Sequence, residues 1–419
     1  MMDWHDLAVF GGTPAFEEKL HVGRPNVGNK HHFLMQTEAI LDRRWLTNQG
    51  PVVTELERRL TQYLGVKHCI AMCNGTVALE AAIRALEMDG EVIVPSYTFV
   101  ATAHALQWQG VRPMFCDVDP ETHTIDPEQV ERLITPRTTG ILGVHLWGRP
   151  CAVERLSAIA RKHRLRLLFD AAHAFGCSSQ GRMIGNFGHA EVFSFHATKF
   201  FNTLEGGAVV TNNDELAAKI RLIQNFGFGP GYDNVVSVGT NGKMNEICAA
   251  MGLTNLDAIE GFIDINRANW ECYRAGLAGL PGLKLAAYNQ AERNNYQYVI
   301  VEVDSNAAGI SRDSLVEVLQ AENILARRYF YPGCHRMEPY RWLYPKAGRR
   351  LKETERLSER VLALPTGTSM NEERIAKVCA LIESAVRNGA AVQAGMKGRK
   401  ETVVEPGARV VRMAAGRQA

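Results

Sequence analysis

Seven short apolar runs, most of them separated by segments of helical periodicity, limit the folds open to this 419-residue chain. Hydrophobic residues make up 46% of the sequence, which is enough for a large core. Strands that are joined by helices lie parallel, and the helices cover both faces of the sheet. The sequence therefore predicts an α/β fold with a seven-stranded, mainly parallel sheet. The strands are predicted to end near residues 72, 94, 116, 144, 169, 195 and 211.

Asp170 and Lys199 stand at the ends of two predicted strands, where α/β folds place functional side chains. Taken singly, each has an ordinary explanation, because a strand-end aspartate often forms a turn and a loop lysine often reaches solvent. As a pair they indicate pyridoxal phosphate, which needs a lysine for its Schiff base and a carboxylate that keeps the pyridine nitrogen protonated. Burial among aromatic residues would also lower the pKa of Lys199 and make it a usable nucleophile.

Three motifs surround this pair: Asp170-Ala-Ala-His173, Phe193-Ser-Phe-His-Ala-Thr-Lys199 and Glu205-Gly-Gly207. In order and spacing they resemble the sugar aminotransferases of the DegT type (DegT/DnrJ/StrS), a branch of the fold-type I pyridoxal-phosphate enzymes. The resemblance covers residues 10–387. It implies an aminotransferase with pyridoxal 5'-phosphate as cofactor, glutamate as amino donor and a nucleotide-linked keto sugar as acceptor.

The motifs are most similar to those of family members that act at C4 of dTDP-4-keto-6-deoxyglucose in deoxyaminosugar biosynthesis. A 3-keto sugar and a UDP- or GDP-linked sugar remain alternative acceptors. Some relatives became sugar dehydratases by exchanging the lysine for histidine, so Lys199 argues against that activity. The intact pair of Asp170 and Lys199 also argues against a non-catalytic, sugar-sensing protein.

The segment from Cys69 to Thr76 has the pattern of an anion site: a short strand, a turn with a glycine and a hydroxyl group, and then a helix. Free backbone N–H groups and the helix dipole point into such a turn. The same Asn-Gly-Thr sequence can also cap a helix without any ligand. The resemblance implies that the cofactor phosphate binds here.

The resemblance assigns further roles around the cofactor. It implies that Asp170 and Lys199 are catalytic, that Phe99 stacks on the pyridine face with Tyr97 as a competitor, and that two chains share each site of a homodimer. Asn241 and Lys243 would reach across the interface toward the neighbour's phosphate. The cofactor-binding residues that it implies are Gly75, Thr76, Phe99, Asp170, His173, Ser194, Lys199, Asn241 and Lys243.

Residues 326–340 combine arginine, aromatic and histidine side chains, a mixture that favours a substrate loop over a core segment. The run Phe330-Tyr-Pro-Gly-Cys-His335 is similar to the family's Tyr/Phe-x-Pro-x-x-His loop over the sugar-nucleotide site. Arg328, Tyr331 and His335 are therefore the predicted substrate residues.

The composition gives no reason to expect other kinds of partner. The net charge is +2, which does not favour nucleic acid or a membrane surface. No window approaches the ~18–20 consecutive apolar residues of a membrane span, and the first residues lack the pattern of a secretion signal. The nine cysteines are scattered without metal-ligand spacing, so no metal site is predicted and a reducing cytoplasm is expected.

The chain is predicted to divide into four parts. Residues 1–45 form an N-terminal arm that packs on another surface, with a partner subunit as one candidate. Residues 46–264 form a large cofactor-binding domain, and residues 265–387 form a smaller C-terminal α/β domain. Residues 388–419 are rich in glycine, alanine and basic residues without apolar periodicity, which predicts a disordered basic tail.

Overall fold

The computed structural model describes residues 3–231 and 233–402 of the chain. The strands of this part are β1 (Leu20–His21), β2 (His68–Met72), β3 (Glu91–Pro95), β4 (Arg112–Cys116), β5 (Thr138–Val144), β6 (Arg166–Asp170), β7 (Ser178–Ser179), β8 (Arg182–Met183), β9 (Ala190–Ser194), β10 (Gly207–Thr211), β11 (Leu283–Leu285), β12 (Val299–Val303), β13 (Ile324–Leu325) and β14 (Val361–Leu364).

The helices of the same residues include short 3-10 segments at Trp4–Asp6, Ala8–Phe10, Leu146–Gly148, Cys334–Arg336 and Ala347–Arg350. The α-helices are α1 (Lys30–Arg43), α2 (Pro51–Leu64), α3 (Gly75–Ala85), α4 (Val100–Trp108), α5 (Pro127–Leu133), α6 (Val153–His163), α7 (Asp214–Gln224), α8 (Glu246–Asp257), α9 (Ile259–Gly276), α10 (Ser305–Ala308), α11 (Arg312–Ala321), α12 (Glu338–Leu343), α13 (Lys352–Arg360), α14 (Glu372–Arg387) and α15 (Gly389–Thr402). None of these helices is both long and apolar enough to cross a membrane.

The main sheet has seven strands in the order β2-β10-β9-β6-β5-β3-β4, which confirms the predicted α/β fold. Strand β10 is antiparallel to both of its neighbours, and the other pairs are parallel. Every residue of β3 and β10 is buried, as expected for a sheet with helices on both faces. The register pairs Val144 and Val192 with Asp170, so the carboxyl ends of β5, β6 and β9 lie together.

The smaller C-terminal domain is built on a three-stranded antiparallel sheet in the order β11-β12-β14. Its core joins the apolar faces of α9, α11 and α14 to this sheet, and Leu7 and Leu20 from the N-terminal region are buried in the same core. Glu322 accepts hydrogen bonds from the backbone N–H groups of Ala8 and Ala15, both at 2.7 Å. The first part of the predicted arm therefore packs on its own chain.

The prediction of a disordered tail from residue 388 is wrong for Gly389–Thr402, which form α15. Val392 and Met396 lie four residues apart, on one face of this helix, and both are buried in the core of the smaller domain. Two apolar residues were too few for the helical period to stand out among glycines and alanines. The remaining residues of the predicted tail lie outside the described part of the chain.

The segment from Phe330 to Leu351 leaves the smaller domain and packs on the main sheet. Phe330 belongs to a core cluster with Tyr97 and Trp147, while Tyr340 and Leu351 are buried among residues of α3 and α4. This packing places the predicted substrate loop at the carboxyl ends of the parallel strands.

Candidate active site

A cavity of about 730 Å³ opens at the carboxyl ends of β3, β5, β6 and β9, where α/β folds bind their ligands. Seven of the predicted cofactor residues line it. They are Gly75, Thr76, Phe99, Asp170, His173, Ser194 and Lys199.

Lys199 lies in the turn that follows β9, where its backbone N–H donates to the carbonyl of His196 at 2.8 Å. Its Nζ lies 3.5 Å from the hydroxyl of Tyr298. Burial lowers the pKa of Lys199 to about 8, although the carboxylate of Asp170 acts in the opposite direction. An amine with this pKa is partly neutral near physiological pH, and the neutral form is the nucleophile.

Asp170 ends β6 and is held by two hydrogen bonds. Its Oδ1 accepts from the N–H of Ala172 at 3.0 Å, and its Oδ2 accepts from the hydroxyl of Thr102 at 2.8 Å. Burial raises the pKa of Asp170, while these bonds and the nearby Lys199 lower it. A buried carboxylate of this kind is stabilised further by a cationic N–H group placed against it.

Thr102 was not among the predicted site residues. Its hydroxyl also lies 3.1 Å from the hydroxyl of Thr98, which lines the cavity. Thr98 lies in the turn before α4 and Thr102 lies in the first turn of that helix. Their direction toward Asp170 depends on how α4 packs on the sheet.

The amino end of α3 lies against Ser194 at the cavity, an arrangement that could hold an anion. Asn74 caps the helix by accepting a hydrogen bond from the N–H of Val77 at 2.8 Å, and the N–H groups of Gly75 and Thr76 precede the first intrahelical bond. A Cβ atom added to Gly75 would lie 2.9 Å from the Cβ of Ser194. The missing side chain thus lets the helix terminus approach the Ser194 side chain closely.

Aromatic rings enclose the space beside Lys199. His173 accepts a hydrogen bond at Nδ1 from the N–H of Trp147 at 3.3 Å, and its ring centroid lies 4.6 Å from that of Tyr298. Burial lowers the pKa of His173 far below its usual value, which keeps the ring neutral. Of the two candidates for stacking, Phe99 lines the cavity and Tyr97 is fully buried in the core.

The substrate loop presents different residues from those predicted. Arg327, Tyr329 and Phe330 line the cavity, whereas Arg328, Tyr331 and His335 are not among its lining residues in this single chain. Residue 327 pairs with Ala363 as in an extended strand, where successive side chains point to opposite sides. This alternation separates Arg328 from Arg327 and Tyr329, whereas Phe330 and Tyr331 lie beyond the bridge and do not follow it. The residue types favoured a substrate loop, but the sequence did not reveal which of its residues line the cavity.

The three predicted substrate residues that do not line the cavity make other contacts. The ring of Tyr331 lies under the guanidinium groups of Arg328, at 5.1 Å, and Arg312, at 5.5 Å. His335 is buried and lies 2.8 Å from the hydroxyl of Ser96.

Asn241 and Lys243 lie beside the end of β2 but do not line the cavity of this single chain. The N–H of Cys73 donates to the carbonyl of Gly242 at 2.8 Å, which places this loop next to the amino end of α3. The Nζ of Lys243 donates to Oδ1 of Asn225 at 3.0 Å and lies 4.6 Å from the ring centroid of Phe226.

A model of the DegT/DnrJ/EryC1/StrS aminotransferase family matches residues 29–383. The chain belongs to this family. The predicted aminotransferase activity class and fold-type I architecture are therefore confirmed.

Several relatives are similar over nearly their whole length. The dTDP-4-amino-4,6-dideoxy-D-glucose transaminase of Escherichia coli is 36% identical, over 87% of this chain and 98% of the relative. The GDP-perosamine synthase of Caulobacter vibrioides is 34% identical, over 87% of this chain and 98% of the relative. The solved structure of DesI in the presence of its TDP-sugar product superposes with a TM-score of 0.89 at 48% identity, covering 94% of this chain and 99% of that one.

Aminotransferases of the DegT/DnrJ/EryC1/StrS family depend on pyridoxal phosphate, and the side chains of this cavity fit that group. A helix terminus with a neighbouring serine suits a phosphate, a buried carboxylate suits a protonated ring nitrogen, and a lysine of lowered pKa suits an aldehyde. The cavity therefore offers a suitable partner for the phosphate, the ring nitrogen and the aldehyde of this cofactor.

Proposed function

We propose that this chain transfers an amino group from glutamate to a nucleotide-linked keto sugar, at C4 of dTDP-4-keto-6-deoxyglucose, with pyridoxal 5'-phosphate as cofactor. The observation that carries the proposal is the placement of Lys199 and Asp170 in one cavity, close enough for each to shift the pKa of the other. The relatives named for dTDP- and TDP-linked sugars support the choice of acceptor.

Each polar end of the cofactor has a group to bind it. Ser194 and the N–H groups of Gly75 and Thr76 would hold the phosphate, and Asp170 would hold the ring nitrogen. His173 and Phe99 supply ring faces in the same cavity. When bound, the cofactor supplies an aldehyde carbon that carries the amino group and a ring that withdraws electrons from the carbon losing its proton.

Lys199 moves the protons of the reaction. Its Nζ takes the proton from Cα of glutamate in the first half-reaction and returns a proton to the sugar carbon in the second. Both steps need a base that changes its protonation state easily, which the lowered pKa of Lys199 provides. The hydroxyl of Tyr298, 3.5 Å away, orients the amine.

Asp170 keeps the ring nitrogen protonated. The bonds from Ala172 and Thr102 fix both carboxylate oxygens and favour the ionised form. The ionised carboxylate in turn stabilises the cationic nitrogen, which strengthens the electron withdrawal that the proton transfer needs.

Arg327 binds the anionic part of each substrate. Its guanidinium lies at the cavity, where Nη1 donates to the hydroxyl of Tyr329 at 3.1 Å, and it forms no ion pair with a carboxylate among the described residues. Glutamate brings carboxylates and the sugar nucleotide brings a diphosphate. Arginine is suited to both groups because its planar fork donates two parallel hydrogen bonds.

A homodimer with shared sites completes the proposal. Helix α1 buries only Ile40, while Leu34, Met35 and Leu41 are more than half exposed. A bridge joins Asn225 to Asn241, and the described residues between them expose Val235, Val236 and Val238. A second copy of the chain would bury these apolar side chains and bring Asn241 and Lys243 toward the neighbour's phosphate site.

The free, scattered cysteines favour a reducing compartment, and we place the enzyme in the cytoplasm on that ground. The relative that makes GDP-perosamine supports a GDP-linked acceptor as the second candidate.

The test is a panel of dTDP-, UDP- and GDP-linked keto sugars with glutamate as donor, with the aminated carbon assigned by NMR. We expect the highest kcat/KM with dTDP-4-keto-6-deoxyglucose and an amine at C4. Preference for a GDP-linked sugar would establish the second candidate, and amination at C3 would refute the assignment to C4. No transfer to any keto sugar would refute the proposed function.

A further inference from the structure

Two segments that are more than two hundred residues apart in sequence are joined at the cavity. One is the turn of residues 96–99 after β3, and the other is the part of the predicted substrate loop that spans residues 326–337. The N–H of Cys334 donates to the carbonyl of Ser96 at 2.9 Å, and the N–H of His335 donates to Oγ of Ser96 at 3.1 Å. The hydroxyl of Tyr97 donates to the carbonyl of Tyr329.

His335 is the side chain at the centre of this junction. Its Nδ1 lies 2.8 Å from Oγ of Ser96, and its Nε2 lies 2.8 Å from Oε1 of Glu355 in α13. Burial lowers the pKa of His335, which favours the neutral ring. A neutral ring with these partners donates a hydrogen bond from Nε2 to the carboxylate and accepts one at Nδ1 from the Ser96 hydroxyl.

Both joined segments carry residues of the cavity wall. Thr98 and Phe99 come from the turn, and Arg327, Tyr329 and Phe330 come from the substrate loop. The distance between these two sets of side chains is therefore set by the bonds between Ser96 and residues 334 and 335.

The geometry points to His335 as a positioning residue: we propose that it fixes the substrate loop over the cavity through Ser96 and Glu355 and does not touch the substrate. The role of the loop in substrate binding rests on the proposed function. Serine, histidine and glutamate in this order resemble a hydrolytic triad, but Ser96 is fully buried and does not line the cavity. Its hydroxyl therefore has no access to a substrate.

Two substitutions of His335 separate its two bonds. His335→Asn places an amide oxygen near the position of Nδ1 and can still accept from Ser96, whereas His335→Gln places its amide near Nε2 and can bond only to Glu355. We expect His335→Gln and Ser96→Ala to raise KM for both substrates about three- to tenfold, the usual effect of one lost hydrogen bond, with a smaller change in kcat. His335→Asn keeps the bond to Ser96 and loses only the bond to Glu355, so its KM should rise less than that of His335→Gln.

The rate of trypsin cleavage reports how firmly the loop is held, because Arg327 and Arg328 are exposed. In the holoenzyme without substrate, cleavage after these residues should be faster by a similar factor in His335→Gln and Ser96→Ala. Tyr97→Phe, which removes a separate bond to the loop at Tyr329, should also accelerate it. The matched control is Arg336→Gln, which removes the other partner of Glu355 and leaves the bond from Ser96 to His335. In this variant, the rate of cleavage after Arg327 and Arg328 and the KM should not change.

Unchanged KM and cleavage in both His335→Gln and Ser96→Ala would overturn the proposal. A fall in kcat without faster cleavage would also overturn it, because His335 would then act on the substrate itself. If wild-type enzyme aminates no keto sugar, the proposed function fails, but the cleavage rates still decide whether His335 holds the loop. If a His335 variant loses its cofactor absorbance, the KM and cleavage rate of Ser96→Ala and Tyr97→Phe decide whether this junction holds the loop.

Discussion

Lys199 is subject to two opposing electrostatic effects, burial and the charge of Asp170, and burial is the stronger. In the cofactor-free protein, pyridoxal phosphate should therefore attach to Lys199 at a rate that rises with pH through a midpoint near 8, because the neutral amine attacks the aldehyde. An exposed lysine would show a midpoint near ~10.4. Visible absorbance follows the attachment, and borohydride reduction with peptide mapping locates it. Label on another lysine, or a midpoint near that of an exposed lysine, would contradict the assignment.

Lys199→Ala should bind the cofactor only through reversible contacts.

Asp170→Asn should leave the protein folded and slow proton removal from glutamate by ~10²–10³. An amide cannot hold the ring nitrogen protonated, so the electron withdrawal is weakened. Stopped-flow absorbance with glutamate alone measures this step apart from the sugar. Near-normal rates would mean that Asp170 only shapes the turn at the end of β6.

Thr102→Val removes one of the two hydrogen bonds to Asp170 and keeps nearly the same shape. The bond favours the charged carboxylate, so its loss raises the pKa of Asp170 and should slow the same step by about tenfold. Thr102→Ser keeps the hydroxyl and should restore most of the rate. Equal rates in the two variants would show that Thr102 serves packing alone.

At the scale of elements, helix α15 joins the C-terminal part of the chain to the smaller domain. Met396→Ala should lower the free energy of unfolding by about 2 kcal/mol, because it empties a buried site beside α14 and the N-terminal segment. Ala394→Ser changes an exposed position of the same helix and is the matched control. Thermal and denaturant unfolding of both variants gives the comparison. An unchanged Met396→Ala protein would place α15 away from the core.

The substrate loop shows a limit of reasoning from residue types within a single element. Arginine and tyrosine occur at both 327–329 and 328–331, and only one of these sets lines the cavity. The strand-like pairing of residue 327 with Ala363 puts Arg327 and Tyr329 on one side and Arg328 on the other. Tyr331 lies beyond this bridge, where its ring packs against Arg312 and Arg328.

At the scale of the whole molecule, shared sites predict complementation between two inactive variants. Lys199→Ala and Lys243→Ala should each be weak alone. After reversible dissociation and mixing, half of the dimers are hybrids, and each hybrid has one site with both lysines, so about a quarter of wild-type activity should return. Re-mixing each variant with itself is the control. If both lysines serve one site from the same chain, hybrids shown to have formed would be no more active than the average of the two variants.

Local sequence determined the seven strands and the family, because apolar period and short motifs are properties of neighbouring residues. It also identified seven residues that the structure places around one cavity. These stand at strand ends, and the parallel sheet brings strand ends together.

Only the tertiary structure decided which residues meet across long stretches of chain. The bond from Thr102 to Asp170, the packing of Leu7 in the C-terminal core and the junction of Ser96 with His335 each join distant segments. No local pattern specifies such contacts, since the same side chain can cap, pack or bind according to the surface it meets. The geometry of these contacts follows from how the helices and loops pack on the sheet.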